Sequence, residues 1–132
     1  MSVFVKCLKS FLLIGILILT SCTKNVPQEP AANMGAVFQQ PIDIVKPAVK
    51  DALSRLSFAI LREEAEYFEA VHLKPGETVE KNHGEVVGVW LKPRENATLV
   101  LIDTMKRPSG IEKQREWEQP LTRQIQKLLE KY

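Results

Sequence analysis

Apolar positions recur along this chain with two different periods. Over Val45–Leu56 (VKPAVKDALSRL) they stand at Val45, Ala48, Val49, Ala52, Leu53 and Leu56, the recurrence of one helical face. Lys50, Asp51, Ser54 and Arg55 take the other face. Pro47 belongs in a first turn, which predicts a helix starting near Asp43–Lys46 with Asp43 as its cap. No glycine marks its end near Ser57. Leu121, Ile125, Leu128, Leu129 and Tyr132 repeat the helical spacing at the end of the sequence. Pro120 fits the first turn there, Trp117 is placed to pack back on the helix start, and Lys127 and Lys131 suit the negative end of the dipole.

The stretches between these helices carry the period of strands. Glu85–Leu91 (EVVGVWL) and Thr98–Thr104 (TLVLIDT) are rich in β-branched and large apolar residues, with a polar connector over Lys92–Ala97. The second is nearly continuous in apolar residues, as in an interior strand. Gly88 marks a bulge or a close helix contact. Phe58–Leu61 and Tyr67–Leu73 read as two further strands around a charged turn, Arg62–Glu66, ending at Lys74-Pro75-Gly76. One longer helix through Glu69 is the alternative for residues 62–69, because glutamate and alanine favour it. Ala36–Phe38, before Pro41, suits a short edge strand, and 105–111 reads as a loop. The expected fold is α+β: an antiparallel sheet of about four strands covered by two amphipathic helices.

The start of the chain follows neither rhythm. Lys6 and Lys9 precede an unbroken apolar run, Phe11–Leu19, and then Thr20, Ser21 and Cys22. A basic start, a short apolar run and a small-residue exit describe a secretory signal. The run is too short for a spanning helix, which wants about 20 apolar residues. Leu19-Thr20-Ser21-Cys22 resembles a bacterial lipobox, whose cysteine accepts the lipid. The organisation read from this is a signal peptide over 1–21, a lipidated N-terminus and stalk over 22–35, and one domain over 36–132. Pro27 and Pro30 bias Thr23–Met34 toward extended chain and a flexible stalk. Two or more acyl chains on Cys22 would hold the protein stably at a membrane. Thr23, in place of aspartate, resembles the pattern of lipoproteins sent to the outer membrane of Gram-negative bacteria, facing the periplasm.

Charge narrows the partners. The net charge of +2 belongs to the two leader lysines and vanishes for residues 22–132. Nucleic acid is therefore not expected, since phosphate binding needs a basic excess or stripe. Cys7 and Cys22 are the two cysteines, so a domain disulfide and a cysteine zinc site are excluded. No phosphate loop, His-Glu-x-x-His or Gly-x-Ser-x-Gly occurs, and no enzymatic activity or cofactor is expected. His72 and His83, with Glu63, Glu64, Glu66 and Glu69, match no known metal-ligand spacing. Trp90 is expected in the core.

AVFQQP, VKPAVKDALSRLSFAI, the pair EVVGVWL and TLVLIDT, and a closing helix together resemble the small, functionally uncharacterised α+β lipoproteins of bacterial envelopes. A more distant likeness is to the helix-grip domains of a lipoprotein of the outer-membrane assembly machinery. Ser57 stands where such relatives commonly carry glycine. The resemblance carries over one functional residue, the lipid acceptor Cys22. It implies a non-enzymatic, lipid-anchored envelope protein that docks to another envelope component. The alternative is a periplasmic lipoprotein that takes a small ligand in a groove between sheet and helices.

Overall fold

The computed structural model describes residues 26–106 and 114–131. The leader, Cys22, Thr23 and most of the loop expected over 105–111 lie outside the described residues. Five strands form one antiparallel sheet in the order β1-β5-β4-β3-β2. They are β1 (Ala36–Phe38), β2 (Phe58–Glu64), β3 (Tyr67–His72), β4 (Val86–Arg94) and β5 (Ala97–Met105), with helices α1 (Ile42–Arg55) and α2 (Glu118–Leu129). The α+β architecture is as expected, with β1 as the fifth strand.

The helix alternative for residues 62–69 is excluded. Arg62, Glu63 and Glu64 continue β2, pairing with Glu69, Phe68 and Tyr67 across a turn of only Ala65-Glu66. These charges are tolerated in a strand because β2 is a sheet edge and they are exposed; charged edges also resist pairing with another chain. The connector after β4 is likewise shorter than expected. Pairing runs on through Pro93↔Thr98 to Arg94↔Ala97, and Asn96 turns the chain with a φ of 54°. Pro93 fits because β3 pairs only with Val86–Trp90, so no ladder bond is lost on that side.

Both helices pack on one face of the sheet. Val45, Val49 and Leu53 of α1 and Leu121, Ile125 and Leu128 of α2 meet Phe68, Ala70, Val87, Val89, Leu91, Val100 and Ile102 in a single core. α1 begins one residue earlier than expected, and Asp43 is in its first turn rather than its cap. The Pro41 carbonyl accepts from the Ile44 and Val45 amides at 3.0 and 3.1 Å. Pro47 therefore falls in the second turn, on the exposed side, where water can satisfy the carbonyl that loses its donor. At the other end Ser57 takes a φ of 66°, the left-handed position after a helix that glycine fills most easily.

The opposite, outer face of the sheet is also apolar: Tyr67, Val71, Val86, Leu99 and Leu101 are buried there, outside the helix-covered core. The flexible stalk expected over 23–34 is, from Val26 onward, a strap laid across this face. Pro27 packs on Gly88, where an added Cβ would come within 2.7 Å of Pro27 Cβ and of the Trp90 ring. The Gln28 amide donates to Asp103 Oδ2 at 2.8 Å, and Lys92 pairs with Glu29 at 2.6 Å. Gly35 comes down on Leu99 and Leu101. Two further expectations are corrected by this strap. Gly88 admits neither a bulge nor a helix, since β4 keeps continuous register. Trp90 is half-buried under the strap and does not belong to the core.

Gly88→Ala is expected to lower stability by about 1–3 kcal/mol through overpacking against Pro27 and Trp90, read as a drop in the urea midpoint. Ser57→Gly is expected to raise stability by about 1 kcal/mol, by relieving the left-handed conformation, read in the same titration.

Candidate functional site

Strand geometry separates the histidines from the glutamates named with them in the sequence. Phe58↔His72 pairs at one end of the β2–β3 hairpin and Glu64↔Tyr67 at the other. At about 3.3 Å per residue the two ends are roughly 20 Å apart. Glu63, Glu64 and Glu66 therefore cannot share a site with His72. Among the described residues no group of three His, Cys, Asp or Glu side chains could hold a metal ion.

The chain instead brings His72 and His83 together. The loop after β3 returns so that the His72 amide donates to the Glu85 carbonyl at 3.0 Å. A Cβ on Gly84 would overlap the His72 carbonyl, so this return requires glycine. A recess of about 220 Å³ results, lined by His72, His83, Glu85, Arg115 and Trp117 among others. Trp117 belongs to the same core cluster as Leu121 and Ile125 of α2. Its ring lies 4.5 Å from that of His72 and 5.0 Å, edge-on, from that of Phe58. Arg115 stacks over the same indole at 4.8 Å, and its amide donates to the buried Glu85 carboxylate at 2.6 Å. Burial pushes the His72 imidazole below its ordinary range; Glu85 and Glu77 pull it back up, while Arg115 and Lys74 add to the lowering. The amides of Lys74 and His83 donate to Glu77 at 2.8 and 3.2 Å, and hold its carboxyl below the usual range. This corner stacks rings and closes a loop, and among the described residues it has no paired nucleophile and base. Glu85, Glu77 and Arg115 were not anticipated: a glutamate buried at the start of an apolar strand looks, in sequence, like a solvated one.

A second recess lies where α1 meets the β2–β3 turn. It is a groove of about 550 Å³ along the rim, lined by Ile42, Lys46, Pro47, Lys50, Glu63 and Phe68 among others. Lys46 reaches over the Phe68 ring and donates to the Glu64 carbonyl at 2.9 Å, while Lys50 pairs with Glu63 at 2.9 Å. At the centre, between sheet and helices, Leu53, Phe68, Leu91, Leu121 and Ile125 are each below 2% exposed, while on the β1–β5 side a groove of about 330 Å³ opens between α2 and the sheet, lined by Gly35, Ala36, Val100, Ile102, Glu118 and Thr122 among others.

A third cluster sits on the outer face at the entry of the strap. Tyr67 and Trp90 stack at 5.0 Å, and the Arg62 guanidinium lies over Tyr67 at 5.0 Å. The Tyr67 hydroxyl donates to Glu69 at 3.1 Å. Burial, and then the Glu69 charge, push its pKa up to about 12. Val26, Pro27, Glu29, Arg62, Tyr67 and Trp90 line this recess. Cys22, the lipid acceptor expected from sequence, lies outside the described residues, and no helix among them is long and apolar enough to cross a membrane.

No known protein family and no curated protein matches the chain by sequence. Among solved structures it is similar to a chain of the adenylate sensor from AMP-activated protein kinase in complex with 5-aminoimidazole-4-carboxamide 1-β-D-ribofuranotide. The TM-score is 0.51 at 13% identity, over 75% of this chain and 97% of that one. The solution structure of CalU16 from Micromonospora echinospora gives a TM-score of 0.39 at 13% identity, over 74% and 81%. The likeness to the sensor chain is one of fold.

His72 gives a pH dependence with a definite sign. Its pKa is lowered in the folded protein, so the unfolded chain binds the extra proton first. Stability is therefore expected to fall as the pH drops below about 6.5 and to level off below the folded pKa. The urea midpoint should be lower at pH 5.5 than at pH 7.5, and His72→Phe should shrink that difference while keeping a ring against Trp117.

Proposed function

We propose that the protein is a non-enzymatic lipoprotein of the bacterial cell envelope, anchored through acyl chains on Cys22, that docks to another envelope component. The basic start, apolar run and lipobox over residues 1–22 support the anchor. Thr23 supports an outer-membrane destination facing the periplasm if the host is Gram-negative. The zero net charge of residues 22–132 fits a protein partner better than nucleic acid.

The observation that carries docking over enclosure of a ligand is that the centre between sheet and helices is occupied by buried side chains, and the recesses beside it are open grooves at the rim. Small-molecule sites bury most of their ligand in a concave pocket, and here the core side chains occupy that position. A periplasmic small-ligand-binding lipoprotein is the second reading. The rim groove over Phe68 favours it, although both lysines there already hold partners.

Metabolic labelling with an alkyne fatty acid tests the anchor. The wild-type protein is expected to carry the label in the membrane fraction, and Cys22→Ala to lose it and retain the leader. An unlabelled wild-type chain would overturn the reading. Site-specific photo-crosslinking from Lys50 in intact cells separates the two functions: a protein adduct of defined mass supports docking, and a small-molecule adduct supports the ligand reading.

A further inference from the structure

The strap sets how far the domain can stand from the lipid. The described residues begin at Val26, whose neighbours in the recess are Arg62, Glu64, Tyr67 and Trp90. Only four residue steps separate Val26 from Cys22, and fully extended they span at most about 14 Å. A domain of roughly 100 residues has a radius of gyration of about 13 Å and is therefore more than 30 Å across. A link this short keeps the lipid within about 14 Å of the Val26 end of the strap. The lipid must lie close to the outer face, at the β2–β3 side.

We propose that the outer face of the sheet, at the Arg62–Tyr67–Trp90 corner, lies against the membrane surface to which Cys22 is acylated. This rests on the lipoprotein reading given above and deepens it. The chemistry of the corner suits a lipid headgroup layer. Trp90, half-buried at the edge of the strap, combines an apolar body with a polar tip, the composition favoured where one end of a side chain is apolar and the other wet, and Tyr67 is buried behind it. Arg62 is a cation half-exposed beside them, and Val26 adds an exposed apolar side chain, 41% accessible. The charges around the corner are balanced by Arg62–Glu64 and Lys92–Glu29, so the contact is interfacial rather than dependent on anionic lipid. The helices, and the rim groove lined by Lys46 and Lys50, then face away from the bilayer, where an envelope partner can reach them.

The test uses the full acylated protein, labelled with nitrogen-15 and reconstituted in nanodiscs of phosphatidylethanolamine and phosphatidylglycerol carrying a headgroup nitroxide. Amide signals of Val26, Gln28 and Glu29, of Arg62 and Tyr67, and the Trp90 indole should be attenuated at least twofold more than those of α1 and α2. Uniform attenuation, or attenuation concentrated on the helices, in a protein whose N-terminal fragment carries the acyl mass would overturn the orientation and leave the anchor standing. An N-terminal fragment without acyl mass would overturn the anchor and the orientation with it.

Discussion

A sheet with apolar residues on both faces must be covered twice, and the rest of this structure follows from that constraint. The helices cover one face with a continuous core from Phe38 to Leu129. The other face buries Tyr67, Leu99 and Leu101, with no α-helix among the described residues on that side. Its cover is ten residues of proline-containing chain held by shape and a few polar contacts. Pro27 needs the absence of a side chain at Gly88. Asp103 fixes the backbone of Gln28 and Lys92 fixes Glu29. Each contact is modest alone, because exposed ion pairs contribute about 0–1 kcal/mol. Together they keep apolar strand surface from water.

Much of the fold was legible because periodicity reports burial. α1, α2, β4 and β5 declared themselves where one face or both faces were apolar. Residues 62–69 are harder to read, because their glutamates and alanines favour a helix, while in the strand Tyr67 and Phe68 are both buried. The strap was read as a stalk for a physical reason. Largely extended chain with prolines leaves no period, the single 3-10 turn at Ala32–Met34 is too short to make one, and the partners of Pro27, Gln28 and Glu29 lie 60 or more positions away. Gly88 did signal a close approach, but one glycine cannot say whether helix or strap makes it. The start of α1 was misplaced because Pro41 supplies a backbone carbonyl where a side-chain cap was sought.

Neighbours in sequence proved a poor guide to neighbours in the site. Glu63, Glu64 and Glu66 are carried to the far end of a hairpin, while Glu85, His83 and Arg115 reach His72 through loop returns. A hairpin places residues by register, and register depends on where the turn falls. Shortening the expected Arg62–Glu66 turn to Ala65-Glu66 extended β2 and set that distance. The tight return at Gly84 then built the His72–Trp117 stack, which spacing alone could not reveal.

The route of the strap also fixes an order of assembly. Gln28 finds its partner Asp103 across 75 positions, and β1 pairs with β5, nearly as distant. The hairpins β2–β3 and β4–β5 close over short turns, at far smaller entropic cost. A chain made from its N-terminus therefore exposes the strap first and has nothing to lay it on until β5 exists. The earliest residues of the domain to be synthesised must therefore wait for β5, so the amino-terminal end stays free throughout the interval in which the hairpins form.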